Sequence, residues 1–237
     1  MNDSKSIEEL DRLLKVRLEE FLLREKDEQF RPKPVIAITR EPGCGAETIA
    51  ERLCSKLDLH LYDWELVAQI AKDEQVSTYL VSMLEKNPPT WFADYLAEFQ
   101  PEYILASNRY ITSLKKILLA IAVTGNAVIV GRGSNFFLPP EMKIGLCLVA
   151  PLDLRIKNIM REFGLTEKAA RKHILKVEEE QRKLVRKYLQ AEIRDPNYYH
   201  LVINTALVKP DTIVQLVKTI IQTIQREKEN THDPSGN

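Results

Sequence analysis

The chain has 237 residues, enough for one full domain with an appendage rather than two equal domains. Its 34 lysines and arginines balance 34 aspartates and glutamates, which excludes a global pull toward nucleic acid or an anionic membrane, so any anion site must be local. A hydrophobic content of 44% excludes a mostly disordered chain.

Residues 1 to about 30 read as one helix, because Ile7, Leu10, Leu14, Leu18 and Phe21 recur at helical spacing between charged side chains. That stripe either packs on the body of the protein, the simpler reading, or pairs with a second copy as a homodimer-forming coiled coil. The segment lacks the apolar stretch and small-residue cleavage site of a secretory signal. No apolar run in the sequence approaches the ~20 residues of a membrane span. Cys44, Cys54 and Cys147 are scattered without CxxC spacing, and His60, His173, His200 and His232 form no HxxxH pair. A cytoplasmic protein without nucleic-acid or membrane partners is expected. Arg31-Pro32-Lys33-Pro34 breaks the helix. Residues 1–33 are therefore an appendage, and 34–228 the main domain.

Residues 35–39 are a short apolar run rich in β-branched side chains, suited to a strand buried on both faces of a parallel sheet. Similar runs at 59–62, 127–130, 144–149 and 201–203 give five strands. Helical patterns occupy 48–57, 64–72, 104–123, 152–163, 167–189 and 211–228. Strands alternating with helices predict a three-layer α/β fold, with ligands bound beyond the carboxyl ends of the strands. Residues 74–103, with Asn87-Pro88-Pro89 and a cluster of aromatics, form an insertion that is either a substrate-side subdomain or a packed helical hairpin. Residues 229–237 are polar and without period, so a frayed tail is expected.

The strongest chemical signal is Thr39-Arg40-Glu41-Pro42-Gly43-Cys44-Gly45-Ala46-Glu47-Thr48, a glycine-bearing turn between the first strand and a helix. Glycines allow positive φ and close backbone approach, and the first amides of the helix point into the loop, so Gly43 to Thr48 form an anion cradle. Laid on GxxxxGK[ST] with Gly45 as the second glycine, the loop has Arg40 at the first glycine, Ala46 at the lysine and its hydroxyl one residue late, at Thr48. Either no phosphoryl group is transferred here or another cation replaces the lysine. Arg40 is the nearest candidate for that cation, and Thr48 for the magnesium-facing hydroxyl.

The segment TREPGCGAETIAERLCSKLDLHLYDWELVAQIA resembles the opening of the cytidylate kinase-like family, with its SREYGxGG loop, helix and YDRE segment. GNAVIVGRGSNFFLPP, LVAPLDLRIKNIMREFGLTEKAAR and EEEQRKLVRKYLQAEIRDPNYYHLVINT are similar to its three later blocks, in the same order, so the likeness runs from residue 34 to about 225. The resemblance implies a P-loop nucleoside monophosphate kinase fold with a nucleotide-binding insertion at 74–103 and an arginine-bearing lid within 152–195. It implies ATP and Mg2+ as cofactors and a nucleoside monophosphate, cytidylate first, as acceptor. It places Gly43, Gly45 and Thr48 in the phosphate loop, Asp63 after the second strand, and Arg132 in a Gly-Arg pair facing the substrate. Gly133 stands where true cytidylate kinases continue with aspartate, and Trp64 replaces the arginine of YDRE. The catalytic set expected on this basis is Arg40, Asp63, Arg155, Arg161, Arg182 and Arg186. Glu178–Arg182 and Glu179–Lys183 are also favourable helical pairs, so part of this text is an ordinary salt-bridged helix. The alternative function is a non-catalytic nucleotide- or phosphometabolite-binding module, motivated by Ala46.

Overall fold

A computed structural model describes residues 12, 14–17, 19–21, 23, 34–63, 109–131 and 133–230. Five strands form one parallel sheet: β1 (Val35–Arg40), β2 (His60–Asp63), β3 (Ala127–Val130), β4 (Lys143–Val149) and β5 (Leu201–Asn204). Their order is β2-β3-β1-β4-β5, with β1 central and paired to both β3 and β4. The helices are α1 (Ala46–Leu57), α2 (Arg109–Thr124), α3 (Ser134–Phe137), α4 (Leu152–Phe163), α5 (Glu167–Leu189) and α6 (Pro210–Asn230).

Side chains alternate across a strand, and β1 shows what that does here. Val35 and Ala37 join Tyr62, Ala127 and Ile129 in the core beneath α2, while Ile36 and Ile38 join Val128, Leu146 and Ile203 in the core beneath α1 and α6. With both faces covered, the strands are continuous apolar runs, and the three-layer expectation holds. α6 continues through Asn230, two residues into the segment expected to fray, and residues 231–237 lie outside the described residues. The same is true of the helix expected at 64–72 and of the insertion at 74–103.

Two local features depart from the sequence pattern. A one-turn helix, α3, follows β3, with Gly133 at its N-cap at φ 96. In α5 the buried residues are Ala170, Ile174, Gln181 and Val185, whereas Val177, Leu184 and Tyr188, which continue the apolar spacing from Ala170 and Ile174, are only half-buried. The reason is that α5 changes partners along its length. Its first turns pack with Ile156 and Ile159 of α4, and its later turns with Phe136 and Ile193.

Among the described residues of the N-terminal helix, Leu14 and Phe21 are buried in the α2 core, so the stripe faces the body. Arg17 lies between them, where its guanidinium donates to the Tyr62 hydroxyl (3.2 Å) and to the Thr124 and Gly125 carbonyls at the end of α2. A cation at those last carbonyls also complements the helix dipole. Arg17→Ala is expected to remove about 2 kcal/mol of stability, since hydrogen bonds from a buried charge contribute ~1.5–3 kcal/mol. Thermal melts should show a drop of roughly 4–8 °C. An unchanged melting temperature would mean that the Arg17 hydrogen bonds add nothing to the packing of Leu14 and Phe21.

Candidate active site

The carboxyl end of β1 runs into a turn whose sequence dictates its shape. Pro42 supplies the fixed φ of the second turn position, Gly43 adopts φ 79 at the third, and the Cys44 amide donates to the Glu41 carbonyl (3.2 Å). This is a type II turn. It engages the Cys44 amide internally, so the cradle is built from the residues after it. Gly45 caps α1 at φ 81, and the amides of Ala46, Glu47 and Thr48, in the first helical turn, have no carbonyl behind them within the helix.

The two glycines face different surroundings. A Cβ on Gly43 would lie 2.6 Å from the Arg155 carbonyl oxygen and 3.0 Å from Ile159, whereas a Cβ on Gly45 would meet nothing within 4 Å. The open side belongs to a cleft of about 320 Å³ lined by Gly43, Gly45, Glu47, Thr48, Asn158, Arg161 and Glu162. Asn158 donates to the Gly43 carbonyl (2.8 Å), and Arg161 donates to the Asn158 side-chain oxygen (3.3 Å). α4 thus steadies the loop and presents a guanidinium across from the free amides. Thr205, just past β5, donates to the Cys44 carbonyl (2.7 Å) and fixes the other side of the turn. Cys44 itself is buried, which pushes its thiol up to about 12 and keeps it neutral, so it shapes the loop rather than reacting.

A second, much narrower cleft of about 20 Å³, room for about one water-sized group, lies on the α5 side of the same strand ends, lined by Arg40, Glu41, Gln181, Arg182 and Arg194 among others. Arg40 lines this second cleft and reaches the first only through Glu47, which lines that one. Its Nε lies 3.1 Å from Glu47 Oε1, an ion pair without hydrogen-bond directionality. Arg182 pairs with Glu179 (2.6 Å) and lines the second cleft.

The other expected catalytic residues are placed differently. Arg155, 7% exposed, is held behind the loop by Glu41 (3.3 Å), Glu178 (2.6 Å) and the Ala150 carbonyl (2.9 Å). Glu178 therefore turns inward to Arg155 instead of pairing with Arg182, while the expected Glu179–Lys183 pair is present at 3.5 Å. Arg186 pairs with Glu192 on the surface and lines neither cleft. Asp63 ends β2, opposite Val130 of β3. Arg132 and Trp64 lie outside the described residues. Arg194, which sequence reasoning did not single out, lines the second cleft and pairs with both Glu41 (3.0 Å) and Glu178 (3.1 Å).

The arrangement suits a polyphosphate with its counter-ion. The first-turn amides of Glu47 and Thr48 and the Arg161 guanidinium belong to residues lining one open space, the Ala46 amide being turned to the Cys44 sulfur. Glu47 and Thr48 also offer the oxygen donors that a magnesium ion takes alongside substrate phosphates. Among the described residues no cluster of three or more His, Cys, Asp or Glu could hold a metal without such help, and no helix is long and apolar enough to cross a membrane.

Comparison with known proteins agrees with this geometry. A model of the cytidylate kinase-like family matches residues 35–207. The chain is 30% identical over 187 residues to a cytidylate kinase of Ignicoccus hospitalis, covering 79% of this chain and 98% of that protein. It is 26% identical over 193 residues to a cytidylate kinase of Pyrococcus horikoshii, covering 81% and 90%. Among solved structures, an uncharacterized protein from Eubacterium ventriosum superposes with a TM-score of 0.55 at 21% identity, over 80% of this chain and 99% of that one.

Proposed function

The chain belongs to the cytidylate kinase-like family, and from that premise we propose that it transfers the terminal phosphoryl group of ATP to a nucleoside monophosphate, with cytidylate as acceptor. The observation that carries the reading is the β1–turn–α1 unit, whose free amides open with Gly45 onto a cleft faced by Arg161. An oxygen of the acceptor phosphate attacks the terminal phosphorus, the new P–O bond forms as the bond to the bridging oxygen breaks, and ADP leaves. Such transfer needs positioning and charge neutralisation rather than a covalent nucleophile, which suits a site rich in arginines and without a reactive thiol.

The amides of Gly45, Glu47 and Thr48 hold the donor phosphates. Arg161 and Arg40 supply, from either side, the positive charge that a lysine at Ala46 would have given, and Arg182 faces the second cleft. Glu47 and Thr48 would hold Mg2+, which when bound neutralises charge on the phosphates. Asp63, the last residue of β2, and Arg132, outside the described residues, are assigned to the acceptor. A coupled assay with ATP, Mg2+ and a panel of nucleoside monophosphates is expected to show turnover, fastest with cytidylate; no turnover with any of them would overturn the reading. One observation favours the non-catalytic alternative. Arg40 is engaged by Glu47 while Ala46 offers no charge. Thermal stabilisation by ATP without product would favour that alternative.

A further inference from the structure

Behind the phosphate loop four charges close into a ring. Arg155 bridges Glu41 and Glu178 through Nε (3.3 Å) and Nη1 (2.6 Å). Arg194 bridges the same two carboxylates through Nη2 alone, at 3.0 Å and 3.1 Å. The ring joins the loop after β1, the first turn of α4, the middle of α5 and the segment before β5.

The two arginines are not equivalent. Arg155 is 7% exposed and also donates to the Ala150 carbonyl, so it keeps both carboxylates partnered from the inside. Arg194 is 51% exposed and stands with Arg40 and Arg182 on the lining of the narrow second cleft, open to solvent at its mouth. A guanidinium carries five N–H donors in a planar fork. The ring occupies only one nitrogen of Arg194, and its Nε and Nη1 have no further partner among the described residues. Two ion pairs at one nitrogen tether the guanidinium beside the cleft and leave its other edge available.

We propose that Arg194 contacts a phosphate oxygen at the mouth of this second cleft, and that Glu41 and Glu178 are positioning residues that hold its guanidinium there. The proposal deepens the phosphotransferase reading and rests on it. A phosphate at that mouth shares Arg194 with carboxylates that Arg155 still satisfies, so the ring does not have to be dismantled for the contact to form. Because Glu41 opens the phosphate-loop turn, the same ring sets the distance between that turn and the arginine.

The test uses the full chain and the variants Arg194→Ala, Arg194→Lys, Glu178→Gln and the double variant Arg194→Ala/Glu178→Gln. Loss of one preorganised donor at a developing charge costs about a hundredfold in kcat, and that is the expected effect of Arg194→Ala, with melting close to wild type because Arg155 remains. Arg194→Lys is expected to recover less than a tenth of the lost activity, since a point charge cannot reproduce the fork. Glu178→Gln should lower kcat about tenfold in the wild-type background and not at all where Arg194 is already alanine, while lowering the melting temperature in both. Activity of Arg194→Ala within twofold of wild type, or an equal effect of Glu178→Gln with and without Arg194, overturns the proposal. If the wild type turns over no monophosphate, the phosphotransferase reading fails, and the subsite is read by thermal shift with inorganic pyrophosphate. A shift in wild type that Arg194→Ala abolishes supports the subsite, whereas equal shifts, or none in wild type, overturn it.

Discussion

Arg155→Ala is expected to cost about 3–5 kcal/mol of folding stability, the range for breaking a buried ion pair by removing one partner. The groups left behind account for the figure. Glu41 and Glu178, both largely buried, would share only the half-exposed Arg194, and the Ala150 carbonyl would lose its donor. For a chain of this length the melting temperature should fall by on the order of 10 °C. Arg155→Lys should recover little, because one ammonium cannot at once reach two carboxylates and a carbonyl that a guanidinium serves through Nε and Nη1. Removing a carboxylate along with the arginine, as in Arg155→Met/Glu178→Leu, should restore part of the loss, since an apolar pair leaves fewer charges unpaired. Chemical denaturation of the three variants checks the order. An Arg155→Ala protein within about 1 kcal/mol of wild type would mean that Arg194 alone neutralises the ring.

That ring also marks where sequence reasoning stopped. The β1–turn–α1 unit was legible because its signals are local: a β-branched run, Pro42-Gly43 for a type II turn, and a second glycine at the helix mouth. The strand ends and the helix from Glu167 to Leu189 were legible for the same reason, through period and capping by Thr166. The roles of the arginines were not. Helical spacing pairs Glu178 with Arg182, but Glu178 points inward at 13% side-chain exposure and meets arginines from α4 and from the segment before β5. Contacts between positions 41, 155, 178 and 194 have no fixed offset to read. The only cue for Arg194 was its place shortly before the last strand. Gln181 shows the same limit, since a polar residue 6% exposed on the packed side of α5 makes sense only once the cleft beneath it is known.

The two loop glycines should separate stability from binding. Gly43→Ala places a methyl group 2.6 Å from the Arg155 carbonyl oxygen while forcing a non-glycine residue to φ 79. Left-handed strain costs ~1–3 kcal/mol and overpacking a further ~1–3 kcal/mol, so a loss of about 2–6 kcal/mol is expected. The obstructing atom is backbone, so relief requires α4 or the turn to shift, which also breaks the bond from Asn158 to the Gly43 carbonyl. Nucleotide binding should fail along with stability. Gly45→Ala carries similar strain, at φ 81, but its methyl group meets no protein atom within 4 Å. Its stability loss should stay near the lower end, about 1 kcal/mol, because only the backbone term applies. Yet that methyl group projects into the space in front of the first-turn amides, where a phosphate would sit. ATP-dependent thermal stabilisation should therefore disappear in Gly45→Ala although the protein melts near wild type. If Gly45→Ala binds ATP as wild type does, the open space at the mouth of α1 is not where the phosphates go. The glycine there would then serve only to turn the chain into the helix.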